Sequence, residues 1–448
     1  MKFRKFGKTV LTAALSSAIV FSLSSCVRSF TVGYLYVTGT VTATPSGNGI
    51  ISGFKIDNNT GKLIALHGLP VSSGGANPVR AVLLTGGRFV YVLNAGVNST
   101  GGSVCTLSDP CSTANITQFV VGGNGILTFQ QTFFTQGINP FRLVADASGK
   151  YLFALDHDAP SSAYCGTVVS GATSCGDISV FQIDSTTGRL SLVTNAQLTA
   201  STGNQVTYFP VPANPIDFTL ASGYLMTLSG EAGAPTGQTV YPYSYNSGIG
   251  QLTVSQSTPQ IITNGEGAPL GQGRALVFAG SKIYILDNEP ITVTANGTTT
   301  TSLAQLLPFT IGTNGALQAL TGGAVPDDPT QTSPIYLIVE SKGKFLYVAN
   351  QQGASASTGS GIAGFVIDPA SGQLSEDPGS PWGTGSGPNC LLEDPSNQYI
   401  YTANGVDSTI TGRLLDPNSG ALRNLNGSSG VFSLTGPPTW CVATGRTN

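Results

Sequence analysis

Three motifs, each present seven times, predict an all-β fold: a seven-bladed β-propeller of four-stranded antiparallel blades, its ring closed by pairing of the N- and C-terminal strands. The first motif is an aromatic-rich alternating strand at 34–37 (Tyr-Leu-Tyr-Val), 89–92, 151–154, 224–227, 282–285, 345–348 and 399–402. The second is a turn ending in Gly-x-Leu, with glycines Gly61, Gly125, Gly188, Gly250, Gly315, Gly372 and Gly420. The third precedes an aromatic strand: Asn77-Pro-Val-Arg, Asn139-Pro-Phe-Arg, Asn214-Pro-Ile-Asp, Gln272-Gly-Arg, Ser333-Pro-Ile-Tyr, Gly387-Pro-Asn-Cys and, at the end of the chain, Pro437-Pro-Thr-Trp.

In chain order, residues 1–25 read as a lipoprotein signal peptide. Lys2, Arg4, Lys5 and Lys8 precede an apolar stretch too short to span a bilayer permanently. It ends in Leu-Ser-Ser-Cys, which resembles a bacterial lipobox, so Cys26 is the expected lipidated residue and 26–31 a short tether. The propeller then occupies 32–448. The expected location is the bacterial cell envelope, facing the periplasm or exterior, with only the lipid touching the membrane.

Within each repeat the unit reads as strand, short turn, aromatic strand, loop, strand, hairpin, strand. The hairpin is clearest at Asp57, Asp184 and Asp368, each followed four residues later by glycine. The Asp caps a tight turn and the glycine takes a left-handed conformation. A sandwich pair would not account for seven copies in register. The strand around Trp440 should complete the blade begun at Tyr34, which closes the ring.

Six cysteines remain beyond Cys26. In an exported chain they favour disulfides, with Cys105–Cys111 and Cys165–Cys175 as local loops and Cys390–Cys441 pinning the seam between neighbouring blades. A metal site lacks support: there is no C-x-x-C, and only His67 and His157 offer imidazole. No cofactor is expected.

Charge narrows the function. Only 9% of the 448 residues are charged, against about a quarter in a typical domain, and 19 Lys+Arg face 22 Asp+Glu. That balance excludes nucleic acid as a partner. It also makes the position of each charge informative.

The Tyr-Val-Ala-Asn strand at 347–350, its counterpart at 401–404 and the Ile-Asp-x-x-x-Gly-x-Leu hairpins resemble the lactonase-type seven-bladed propellers, whose namesake is a 6-phosphogluconolactonase. The resemblance spans the chain from about Val32. It implies hydrolysis of a small lactone near the axial channel, and a Pro-His-x-His inner strand followed by a loop reading roughly Asp-Leu-Gly-x-Asp. The counterpart here is Pro140-Phe141-Arg142-Leu143, then Leu155-Asp156-His157-Asp158, so His157 is the nearest imidazole to the family's position.

Aligning the inner strands places Arg80, Arg142, Asp217, Arg274, Tyr336, Cys390 and Trp440 at one register near the channel mouth. Arginine there suits carboxylate or phosphate. The ends of the aromatic strands bring Asp156, His157, Asp158, Glu231, Asp287 and Glu289 to the same face. Lactone hydrolysis needs a base and oxyanion donors. His157 with Glu231 or Asp158 would supply the first and Arg142 with Arg274 the second, while Arg80, Asp217, Asp158, Asp287, Glu289, Tyr336 and Trp440 would contact substrate. The Thr-rich stretch 291–302 is expected as a mobile loop on this face. Two readings stay open. One is a lactonase-like hydrolase of a small anionic sugar lactone or related ester. The other is a monomeric, non-catalytic envelope propeller binding a glycan, peptide or protein partner on the same face.

Overall fold

A computed structural model describes residues 30–41, 48–84, 86–230, 237–254, 259–295, 297–355 and 358–445. Cys26 and the signal sequence lie outside these residues, as does Glu231. The described chain forms seven antiparallel sheets in a ring plus one small hairpin, and its only helical pieces are the 3₁₀ segments Ser162–Thr167 and Thr313–Gly315. The innermost strands of blades 1 to 7 are Pro438–Gly445, Pro78–Leu83, Ile138–Ala145, Pro215–Ala221, Gly273–Ala279, Gln331–Val339 and Pro388–Glu393. Each touches the inner strands on both sides, so the seven surround one axis.

The ring closes as expected. Pro438–Gly445 pairs with Thr31–Gly39, aligning Trp440 with Thr38 and Cys441 with Val37. All three expected disulfides form, and Cys390–Cys441 joins the inner strands of blades 7 and 1. Two details differ from the sequence reading. Every blade but the second carries a fifth short strand, such as Phe209–Val211, against the far end of its third strand. The stretch 291–302 is a β-hairpin, Ile291–Ala295 with Thr298–Ser302, in which Thr292 faces Thr301 and Thr294 faces Thr299 with hydroxyls 3.0 and 2.9 Å apart. Repeated threonines favour a strand and pair across it, which composition read as a loop concealed.

Two of the sequence motifs prove to be halves of one joint. The first residue of each aromatic strand packs on the hairpin glycine of the next blade: Tyr34 on Gly125, Phe89 on Gly188, Tyr151 on Gly250, Tyr224 on Gly315, Lys282 on Gly372, Phe345 on Gly420 and Tyr399 on Gly61. A Cβ on Gly61 would sit 2.5 Å from the Tyr399 ring, and φ there is +66°. Glycine is therefore required twice over. Two residues further along the strand, the hydroxyls of Tyr36, Tyr91, Tyr284, Tyr347 and Tyr401 donate to the carbonyls of Gly125, Gly188, Gly372, Gly420 and Gly61 at 2.5–2.8 Å. Blades 3 and 4 have Phe153 and Met226 there. In blade 3, Tyr151 donates to the Gly248 carbonyl instead, at 3.0 Å.

The hairpin aspartates act as read. Asp184 Oδ1 accepts the Thr186 and Thr187 amides and the Thr187 hydroxyl, and Asp368 does the same with Ala370 and Ser371. These bonds hold both carboxyls below their ordinary pKa. The third motif is an entry device. Asn77, Asn139, Asn214 and Ser333 have φ of 51–60°, and Gly387 has 65°, each just before a proline of the inner strand. Asparagine tolerates that conformation better than most residues.

Candidate functional site

The inner-strand register is set by a bulge. In blades 2, 3, 4, 6 and 7 the inner-strand proline pairs with Asn94, Asp156, Ser229, Asn350 and Asn404 of the second strand, one residue bulges, and pairing resumes at Arg80, Arg142, Asp217, Tyr336 and Cys390. Trp440 occupies the same place in blade 1. In blade 5 the opening residue is Gly273, paired with Asp287, and pairing resumes at Ala275. Arg274 is therefore the bulge residue, one step out of the predicted register and exposed. Its structural equivalents are Val79 and Phe141. Aligning on arginine rather than on the opening residue of the strand produced the shift.

The residues that do share the register pack into a polar and aromatic plug in the axial channel. Arg142 Nε donates to Asp217 Oδ1 at 3.0 Å, and Asp217 Oδ2 accepts the Leu276 amide at 3.1 Å. Arg80 lies over the Trp440 ring, 3.9 Å from its centroid, and donates to its neighbour's carbonyl, Val79 O, at 2.7 Å. The Tyr336 ring meets Trp440 edge-on with centroids 4.7 Å apart. Beyond the plug, toward the opposite face, the inner strands line a cavity of about 400 Å³ that includes Tyr336, Trp440 and Glu393.

Among the described residues Arg142–Asp217 and Arg423–Asp416 are the ion pairs, and Arg80 has none. Burial, then the like charge of Arg142, lowers the Arg80 pKa against the opposing pull of Asp217 and Tyr336. The plug thus carries one guanidinium whose charge no carboxylate balances. That is a physical basis for attracting an anion.

His157 joins this cluster through Phe141. The imidazole stacks on the Phe141 ring, centroids 3.8 Å apart and planes 13° from parallel, and the Arg142 guanidinium carbon lies 5.4 Å from the centroid of that ring. Partial desolvation lowers the His157 pKa; Asp158 raises it and Arg142 lowers it further. An imidazole below its usual value of about 6.5 is neutral at neutral pH and free to accept a proton. Asp158 is oriented by Asn139, whose Nδ2 donates to Asp158 Oδ2 at 3.3 Å while its Oδ1 accepts the Cys111 amide at 3.0 Å. The first cystine loop is thereby tied to the carboxylate beside His157. A pocket of about 270 Å³ lies here between blades 2 and 3, bounded by that cystine, Val79, Val104, Phe141 and His157. Sequence reasoning passed over Phe141 and Asn139 as site residues; the Asn-Pro motif was the available signal.

The remaining candidates lie elsewhere. Asp287 is fully buried and accepts Gln305 Nε2 at 2.9 Å; burial, then Glu289, raises its pKa to about 7. Glu289 accepts the Gly271 amide and Asn264 Nδ2 at 2.8 and 2.7 Å. Both carboxyls hold the crossover 264–271 to blade 5 rather than facing the arginines. Asp156 is also internal, in a pair with Asp177 across the sheet. Among the described residues no group of three or more His, Cys, Asp or Glu is placed to hold a metal ion.

Comparison with known proteins agrees with this architecture. Residues 313–433 match the family model described as Lactonase, 7-bladed beta-propeller. The blades make the chain a seven-bladed β-propeller, and its segment 313–433 is similar to that family. No curated protein matches it. Among solved structures it is similar to the periplasmic gluconolactonase PpgL of Pseudomonas aeruginosa, at 18% identity over 93% of this chain and 100% of that one, with a TM-score of 0.61. A Bacteroides fragilis protein provisionally described as a 6-phosphogluconolactonase aligns at 16% identity over 92% and 98%, TM-score 0.60. A Lactobacillus plantarum protein aligns at 17% over 93% and 100%, TM-score 0.62. At these identities the likeness is one of fold.

Proposed function

We propose that the protein is a lactonase-type hydrolase of the bacterial cell envelope, opening a small lactone or related ester that bears an acidic group, such as a sugar lactone, at the mouth of the axial channel. The observation that carries this reading is the cluster around Phe141: a largely neutral imidazole on one side of the ring and the Arg142 guanidinium close to it, with the unbalanced Arg80 beyond. His157 takes a proton from water as its oxygen attacks the lactone carbonyl. The oxyanion forms against guanidinium N–H donors. Collapse breaks the ring C–O bond, the imidazolium returns the proton to the departing oxygen, and water and lactone have become one hydroxy acid. Asp217 holds Arg142 in place. The match to a lactonase family and the fold shared with a periplasmic gluconolactonase support the reaction class.

Hydrolysis of a panel of lactones by the purified protein tests the reading. His157→Ala should lower kcat/KM by about 10²-fold or more, the usual contribution of a positioned base, and Arg142→Ala should also lower it. Hydrolysis that survives both changes would refute the site. A second reading, a binding module for an envelope glycan, peptide or protein, is favoured by one observation: Arg142 is already paired with Asp217. Ligand binding without turnover across the panel would select it. The address rests on the lipobox-like sequence at Cys26 and is consistent with three disulfides. Fatty-acid labelling of the expressed protein should be lost in Cys26→Ser, and label retained there would contradict lipidation at that residue.

A further inference from the structure

The pocket between blades 2 and 3 has a chemistry that a fully hydroxylated sugar does not match. Its walls are mainly Val79, Ala95, Val104, Pro140, Phe141 and the Cys105–Cys111 cystine, with Asn77, Ser103 and Asn139 as polar members and the His157 ring alongside. Asn139, the buried amide in this wall, has both polar ends committed, to the Cys111 amide and to Asp158. The full set of hydroxyls of a sugar entering this space would find Asn77 and Ser103 but few other partners, and would lose its water. Flat apolar groups would find an aromatic face and aliphatic contacts. At about 270 Å³ the space is of the order of a phenyl group with a short linker.

The pocket is also continuous with positive charge through one residue. Phe141 lines it and lies 5.4 Å from the Arg142 guanidinium carbon, and Arg80 holds the register position of the preceding blade without an ion pair among the described residues. One end of a ligand is therefore apolar and the other anionic. Asp217, paired with Arg142, is the opposing charge in the plug, and Asp158 the one beside His157.

We infer that this pocket is a subsite for the planar apolar end of a small carboxylate ligand, with the cystine loop as its outer wall, so that the preferred substrates are aryl- or alkyl-substituted lactones whose acids carry their charge to Arg80 and Arg142. The inference rests on the lactonase reading for the word substrate, but the subsite itself is a matter of binding. Val104 tests it cleanly. It lies on the wall at 77% exposure, so a change there does not disturb the core.

Isothermal titration of the full-length protein with 3-phenylpropanoate and with gluconate compares two monocarboxylates that differ in the end placed in the pocket. 3-Phenylpropanoate should bind at least tenfold more tightly than gluconate, and Val104→Asp should abolish the difference by placing a carboxylate in the apolar wall. Equal or tighter binding of gluconate, a preference unchanged by Val104→Asp, or binding of neither acid would overturn the inference. Because no turnover is measured, such a failure leaves lactone hydrolysis to stand or fall on its own assay. Conversely, a protein that binds 3-phenylpropanoate through this wall and hydrolyses no lactone keeps the subsite and loses the hydrolase reading.

Discussion

At the scale of single residues, the site depends on which groups touch Phe141. His157 stacks on it, Arg142 approaches it, and Asp158 adjusts the imidazole from the neighbouring position in the chain. Desolvation and Arg142 pull the imidazole pKa down while Asp158 pulls it up, so Asp158→Asn should lower it further and Arg142→Gln should raise it. NMR titration of the two histidines, with His67→Gln to assign them, measures both shifts; movement in the opposite direction would mean that other charges control the ring. If His157 is the base, the acid limb of kcat/KM lies below pH 6.5, because activity requires the neutral ring. None of this was legible in composition. The repeats point to His157 and the arginine register, but a bulge is a backbone event with no residue signature of its own. Arg274 was consequently assigned to a position that Ala275 holds.

At the scale of elements, blade 3 contains a feature that repetition does not explain. Asp156 and Asp177 pair across the second and third strands, both fully buried, and both oxygens of Asp177 and one of Asp156 have no hydrogen-bond partner. Thr135 donates to the other Asp156 oxygen at 2.8 Å, and Gly137 packs so closely that a Cβ there would sit 1.9 Å from Asp177 Oδ1. Burial raises both pKa values, that of Asp156 to about 8, with Thr135, Gly137 and Ser179 lowering it and Asp158 raising it. A carboxyl with a higher pKa folded than unfolded takes up a proton on folding. Its contribution to stability is greatest below the unfolded value of 3.8 and is lost as pH rises toward 8. Asp177→Asn should therefore raise Tm at pH 8, by an amount equivalent to about 2 kcal/mol, and flatten the decline between pH 4 and 8. A Tm that falls in the variant at pH 8 would show that the pair is held by something other than a proton. The crossover it anchors runs directly into Asn139 and Phe141, so the rim of the site inherits its order from this pair.

The joints between blades belong to the same scale. Each Tyr hydroxyl that reaches a hairpin glycine carbonyl is a buried bond, worth about 1 kcal/mol net, so Tyr401→Phe should lower stability by that much in urea unfolding. Gly61→Ala should cost more, about 1–3 kcal/mol, because it combines positive φ with a clash against Tyr399. Both motifs were visible in the sequence because the same joint is built seven times. That they contact one another across blades was not, since the partners lie 73–97 residues apart or, for Tyr401 and Gly61, 340.

At the scale of the whole molecule, closure and the site share one seam. The N-terminal strand completes a blade whose inner strand is the C-terminal one, and Cys390–Cys441 binds that strand to blade 7 across 51 residues. Chain entropy alone makes such a link worth about 4 kcal/mol. Trp440, next to Cys441, carries Arg80 on its face and Tyr336 against its edge. The seam disulfide therefore steadies the plug as well as the ring, and mild reduction should lower Tm. Closure was legible because the repeat is cut at the same point at both ends of the chain. The plug was legible only as a column of residues, because its pairings cross between blades.

In the proposed reaction His157 and the adjoining arginines, not the other charges on this face, carry lactone hydrolysis. The direct measurement is the rate of acid release from a lactone in a pH-stat, for the wild type, His157→Ala and Arg274→Ala side by side. Hydrolysis should collapse in His157→Ala and persist in Arg274→Ala. Undiminished hydrolysis in His157→Ala, or loss confined to Arg274→Ala, would contradict this assignment of the base.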